Sequence, residues 1–103
     1  MALDIQFRYD DQIVKSLTIT HNLSKMANEL GVAHLAWGAG GITGKEMGPL
    51  IEKPLKVLKE SPERFKKFNP PNGWGDYDTL VEFLSAIVEN CQKYPNSNIY
   101  SFS

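Results

Sequence analysis

The run Asn69-Pro70-Pro71-Asn72-Gly73-Trp74-Gly75-Asp76 constrains the fold of this chain most, because no helix or strand can pass through it. Two prolines fix φ and withdraw two backbone donors, while two glycines admit backbone angles closed to other residues. Between those glycines stands Trp74, whose indole is the largest apolar surface any residue offers. Regular structure must stop before this loop and restart after it. Trp74 either plugs a helix end and orders its own loop, or it walls a surface where a planar ligand or a partner protein is held.

The segments on either side are patterned. Leu3, Ile5, Phe7 and Tyr9 alternate with Asp4, Gln6, Arg8 and Asp10, a period of two that predicts a strand with one buried face. Asp10-Asp11-Gln12 supplies a turn, and the β-branched run from Ile13 to Thr20 completes a hairpin with Ile13, Leu17 and Ile19 on one parity. Lys15 shares that parity and Val14 does not.

Asn22 is the expected cap of a first helix, whose apolar stripe is Leu23, Met26, Ala27 and Leu30 and whose left-handed stop is Gly31. A further turn is allowed at 32–37, after which Gly38-Ala39-Gly40-Gly41 argues against regular structure. Thr43 and Glu46 have capping-box spacing, opening a second helix with Met47, Leu50, Ile51, Pro54, Leu55 and Leu58 inward and a kink expected near Pro49 or Pro54. Ser61-Pro62-Glu63 starts a short third helix that turns Phe65 and Phe68 inward.

Past the tryptophan loop, Asp76 caps the best-patterned helix of the chain, with Tyr77, Leu80, Val81, Leu84, Ile87, Val88, Cys91 and Tyr94 along one stripe. Ile99 to Phe102 is short, β-prone and terminal. The expected fold is therefore α+β in the order ββαααβ: a small, mainly antiparallel three-stranded sheet, hairpin plus C-terminal strand, packed with three to four helices in a single domain over 1–103.

Composition narrows function by exclusion. Eleven basic and twelve acidic side chains leave a net charge of −1, so no global field draws in DNA, RNA or an anionic membrane. One cysteine forbids an internal disulfide and a thiolate zinc site, and no segment reaches the length of a bilayer span, which points to the cytoplasm. His21 and His34 lack the spacing of a metal pair, and Cys91 falls on a core stripe. No cofactor and no catalytic residue is indicated.

Gly38 to Glu46 invites comparison with a P-loop, and the spacing fails. Ala39 stands where the first glycine belongs, and Glu46 stands where magnesium chemistry needs Ser or Thr. Amides from Gly41 to Gly44 beside Lys45 could still bind an anion without hydrolysing anything. A candidate ligand site is then Trp37, Trp74 and Tyr77 as stacking surfaces, with Gly41, Thr43, Gly44 and Lys45 for phosphate.

Ile19-Thr20-His21-Asn22-Leu23 with Met26-Ala27, then Ile42-Thr43-Gly44-Lys45, and above all Asn69 to Gly75 with Tyr77, Leu80, Phe83 and Cys91, resemble a family of small proteins from tailed phages and prophages. The resemblance runs from about Ile19 to Cys91. Its members often follow the first-helix tryptophan with a charged or proline-containing segment, whereas here Trp37 leads into Gly38-Ala39-Gly40-Gly41. The family carries no enzyme activity to transfer. What the resemblance implies is a non-enzymatic accessory protein in the host cytoplasm, countering host defence. As a homo-oligomer it would sequester a small nucleotide-type immune signal; the alternative is an interaction module that inhibits a host protein.

Overall fold

The computed structural model of the chain describes residues 2–71, 73 and 75–102. Along the chain come β1 (Ala2–Tyr9), β2 (Gln12–Thr20), a 3-10 turn (His21–Leu23), α1 (Ser24–Leu30), α2 (Ala33–Ala36), β3 (Gly40–Thr43), α3 (Gly44–Glu60), α4 (Pro62–Lys66), α5 (Tyr77–Lys93) and β4 (Asn98–Phe102). The class is α+β, as the sequence suggests. The sheet, however, has four strands in the order β2-β1-β4-β3, all neighbours antiparallel.

The additional strand is β3, which falls in the segment expected to be irregular. Its glycines do not oppose strand structure here, because β3 is a short edge strand paired with β4, and the Tyr100 ring of β4 packs over Gly41. A register shift between Gly40 and Ile42 puts Gly41 at φ 114°, an angle that favours glycine.

β1 follows its alternation: Leu3, Ile5 and Phe7 are fully buried. Tyr9 departs from it and is 40% exposed, because β1 runs past the core edge there and the ring meets Tyr94 edge-on at 6.1 Å. In β2 the mixed parity has a structural cause. A bulge shifts the pairing from Phe7↔Lys15 to Arg8↔Ile13, so Ile19 stays buried, Leu17 half-buried, and Ile13 is exposed. The hairpin turn is just Asp10-Asp11, with Asp10 at φ 54° and Gln12 already paired to Tyr9.

Asn22 is not the first cap. Thr20 takes that role by accepting from the Asn22 amide, which winds the 3-10 turn before α1 begins at Ser24. Gly31 closes α1 at φ 88°, with its amide on Ala27 and Asn28 carbonyls. The α3 helix runs continuously through Pro49 and Pro54, burying Met47, Ile51, Leu55 and Leu58. Leu50, expected inward, is exposed: it lies on the flank of α3 that also carries exposed Val57, beside the buried stripe of Met47, Ile51, Leu55 and Leu58.

The five-residue α4 is too short to persist alone and is held by Phe65, which is completely buried. Ser61 precedes it without making a side-chain cap bond. Asp76 does cap α5, accepting from the Thr79 amide at 2.9 Å. That bond holds the Asp76 carboxyl below its ordinary pKa. Strands and helices share one hydrophobic core, in which Leu3, Ile5, Phe7, Ile19 and Ile99 of the sheet meet the buried stripes of α3 and α5. Among the described residues no helix is long and apolar enough to cross a membrane.

Candidate functional site

The residues expected to form one ligand site are distributed over three places. Gly41, Thr43, Gly44 and Lys45 lie at the junction of β3 and α3, where the amides that an anion would need are already used. Gly44 N–H donates to the Ser97 carbonyl at 3.0 Å and Lys45 N–H to the Pro95 carbonyl at 2.9 Å. The Gly41 carbonyl accepts from Asn98 Nδ2 at 2.8 Å, and the Thr43 hydroxyl donates to Glu46 Oε1 at 2.7 Å rather than receiving a backbone amide.

Gly44 is glycine for a packing reason. A Cβ there would stand 2.4 Å from the Tyr94 carbonyl oxygen and 3.1 Å from that of Cys91. With Lys45 and Gly48 it borders a notch of about 280 Å³ over Cys91, between α3 and α5. Burial pushes the Cys91 thiol up to about 11, which keeps it protonated and unreactive at neutral pH.

Tyr77 is a core residue, 8% exposed. Its hydroxyl donates to the Leu58 carbonyl at 2.6 Å, satisfying one of the acceptors that the C-terminal turn of α3 leaves free. Desolvation raises its pKa. Trp74 lies outside the described residues.

Trp37 occupies the third place. Half-buried at the end of α2, it donates from Nε1 to His21 Nδ1 at 2.9 Å. An accepting Nδ1 carries no proton, so the proton of the neutral imidazole sits on Nε2. His21 borders a cleft of about 500 Å³ together with Lys25, Lys67, Phe68, Asn69, Pro70 and Pro71. Asn22 and Ser24 also line it.

Three local features build this cleft. His21 and Lys25 are four residues apart on a continuous turn-and-helix segment, which brings them to one face. Lys67 Nζ lies 5.5 Å from the Phe68 ring centroid, so the aromatic ring carries the ammonium group at the cleft wall. Asn69 Oδ1 accepts the Tyr77 amide at 2.9 Å, pinning the two ends of the tryptophan loop together. The loop also docks on the 3-10 turn: at Gly75, φ is 92° and a Cβ would come within 2.8 Å of Thr20 Cγ2 and 3.1 Å of Leu23 Cδ1.

The described lining includes two lysines, one histidine and no carboxylate. That chemistry suits a small anion with an attached planar group: ammonium groups and an imidazole donor for the charge, and Phe68 and the prolines for the flat part. Lys25, Lys67 and Phe68 do not figure in the expected site. The signal for them lay in the i, i+4 pairing of His21 with Lys25 and in the Lys67-Phe68 step that leads directly into the proline run.

No family model matches the chain, and neither a curated protein nor a solved structure matches it.

Proposed function

We propose that this protein is a non-enzymatic binder of a small nucleotide-type anion, held in the cleft between the 3-10 turn and the tryptophan loop. The observation that carries this reading is the Trp37 Nε1 to His21 Nδ1 hydrogen bond at the edge of a cleft bearing two lysines. It presents His21 Nε2–H as a fixed donor beside Lys25 and Lys67, so phosphate is met by a neutral donor and two cations. Phe68 offers a stacking surface. The role differs from the one first expected of the glycine-rich segment, in which the Gly44 and Lys45 amides are consumed by Ser97 and Pro95.

Among the described residues no hydrogen bond joins the Ser24 hydroxyl to His21 or otherwise pairs a nucleophile with a base in the cleft, which favours retention of a ligand over its conversion. The resemblance to phage proteins extends this to sequestration of a host immune signal by a homo-oligomer in the host cytoplasm. A thermal-shift panel of cyclic dinucleotides and ADP-ribose derivatives tests the reading, since a ligand that binds the native state raises the melting temperature. The expected result is stabilisation by at least one compound, lost in Lys25→Ala and Lys67→Ala. Absence of any shift across the panel overturns it.

A second reading has its own support. Leu50 and Val57 are 49% and 40% exposed on α3, and with Leu30, Pro49, Lys53 and Pro54 they border an apolar groove of about 350 Å³. Such a surface suits a protein interaction module acting on a host protein. Leu50→Lys, which leaves the cleft intact, separates the two by abolishing partner capture and sparing nucleotide binding.

A further inference from the structure

The bond between Trp37 and His21 depends on which protons the imidazole carries. Trp37 Nε1 donates to His21 Nδ1 at 2.9 Å, so the nitrogen nearest the indole must keep its lone pair free. An imidazolium has an N–H on both nitrogens and accepts on neither. A proton added at Nδ1 therefore does more than remove the bond: it sets two N–H groups against each other. The indole offers no compensating contact in this geometry. The two ring centroids are 6.4 Å apart at an interplanar angle of 43°, and the indole turns its N–H edge, the positive rim of the ring, toward His21.

The backbone on either side of Trp37 is fastened independently of that bond. Val32 and Ala36 are fully buried, and the Ala36 carbonyl accepts from Ser101 Oγ of β4. Ala39 is tied to the same serine twice: its amide donates to Ser101 Oγ and its carbonyl accepts the Ser101 amide, both at 2.9 Å. The indole, half-buried at the margin of the core, has its hydrogen bond to His21 and no second one among the described residues. The side chain is then the part left free to move when the bond is lost, on a backbone that stays in place.

Lys25 of α1 and Lys67, just beyond α4, are the charged groups that line the cleft with His21, and the described lining has no carboxylate to hold an imidazolium in place. On the neighbouring elements, Glu29 of α1 pairs with Arg64 of α4 at 3.6 Å, Lys66 lies over the Tyr77 ring, Asp76 is bonded to Thr79, and His34 stands on α2 one turn before Trp37. We propose that Trp37 and His21 form an acid-sensitive latch at the edge of the cleft. Histidine is the side chain whose charge changes across the physiological pH range. Uptake of a proton from solvent at Nδ1 breaks the bond, frees the indole, and turns a cleft wall with two cations into one with three. The neutral ring keeps the latch shut and the imidazolium opens it. The latch does not depend on what the cleft binds, and it stands or falls apart from the nucleotide reading.

Nitrogen-resolved NMR of the whole chain without ligand, titrated from about pH 8 to about pH 5, tests it. The chain has two tryptophans, so Trp37→Phe assigns the relevant indole signal by its disappearance. In wild type the Trp37 Nε1–H signal should move, and exchange faster with solvent, at the midpoint of the His21 ring signals. The amides of Ala39 and Ser101 should hold their positions. His21→Asn is the conservative control: its Oδ1 hangs from Cγ as Nδ1 does, accepts a hydrogen bond and does not titrate. There the indole signal should stay flat over the whole range, whereas His34→Asn should titrate as wild type does. An indole signal indifferent to the His21 titration, one that follows the His34 ring, or one that still moves in folded His21→Asn each overturns the proposal. The first of these is read from wild type alone, so the proposal can fail without any variant having to fold.

Discussion

Trp37 donates its indole N–H to His21 Nδ1 at 2.9 Å, joining the end of α2 to the 3-10 turn sixteen residues earlier. That single bond settles which nitrogen of the neutral His21 ring carries the proton: Nε2. Trp37→Phe keeps an aromatic ring, smaller than the indole, and removes the donor. It should cost about 1 kcal/mol of stability, the usual worth of one partly buried hydrogen bond. Nucleotide affinity should fall with the fold preserved, as measured by calorimetric titration beside a urea melt.

Gly44→Ala distinguishes a packing glycine from an anion-binding one. The added Cβ would press on the backbone carbonyls of Tyr94 and Cys91, which cannot rotate aside as a side-chain end could. A loss of about 1–3 kcal/mol in chemical denaturation is expected, with nucleotide affinity unchanged in the folded fraction.

Tyr77→Phe should behave as the loss of a helix-end partner rather than of a stacking surface. The Leu58 carbonyl loses its donor inside the protein, at a cost of about 1–2 kcal/mol. Ligand binding should not change, because the ring lies in the core.

Acid should uncover the Asp76 cap. The Thr79 amide favours the charged carboxylate in the folded state, so the folded pKa lies below the unfolded one. The contribution is present above the unfolded pKa and is lost as pH falls through the folded value. Asp76→Ala should therefore melt below wild type at neutral pH, and thermal melts across the acid range should show the two converging.

Much of the architecture was legible because period and caps are local properties. The alternation of Leu3, Ile5 and Phe7, the Asp76 cap, the Gly31 stop and the terminal strand at Ile99 all depend on neighbours in sequence. What escaped depends on distant partners. β3 exists because β4 offers a free edge sixty residues later, and glycine content alone cannot report that. The cap passed from Asn22 to Thr20 because the chain winds a 3-10 turn on leaving β2.

The candidate site was legible in part, for the same reason. Trp37 bonds His21, which borders one cleft with Phe68 to Pro71, whereas the Gly44 and Lys45 amides are spent on Ser97 and Pro95 and the Gly41 carbonyl on Asn98. Tyr77 reads in the sequence both as the first residue of the last helix's apolar stripe and as a stacking surface, and in the fold it has the core role, its hydroxyl on the Leu58 carbonyl. Lys25 and Lys67 belong to separate helical segments, and the packing of α4 on α1, with Arg64 3.6 Å from Glu29, and the docking of the loop at Gly75 bring their surroundings together.

Amide-resolved NMR titration with the nucleotide that gives the largest thermal shift tests the central claim most directly. The account predicts saturable shifts confined to His21, Lys25, the Trp37 indole and the segment from Lys67 to Asn69, all weakened in Lys67→Ala. Shifts centred on Gly41 to Lys45, or none at saturating nucleotide, would contradict it.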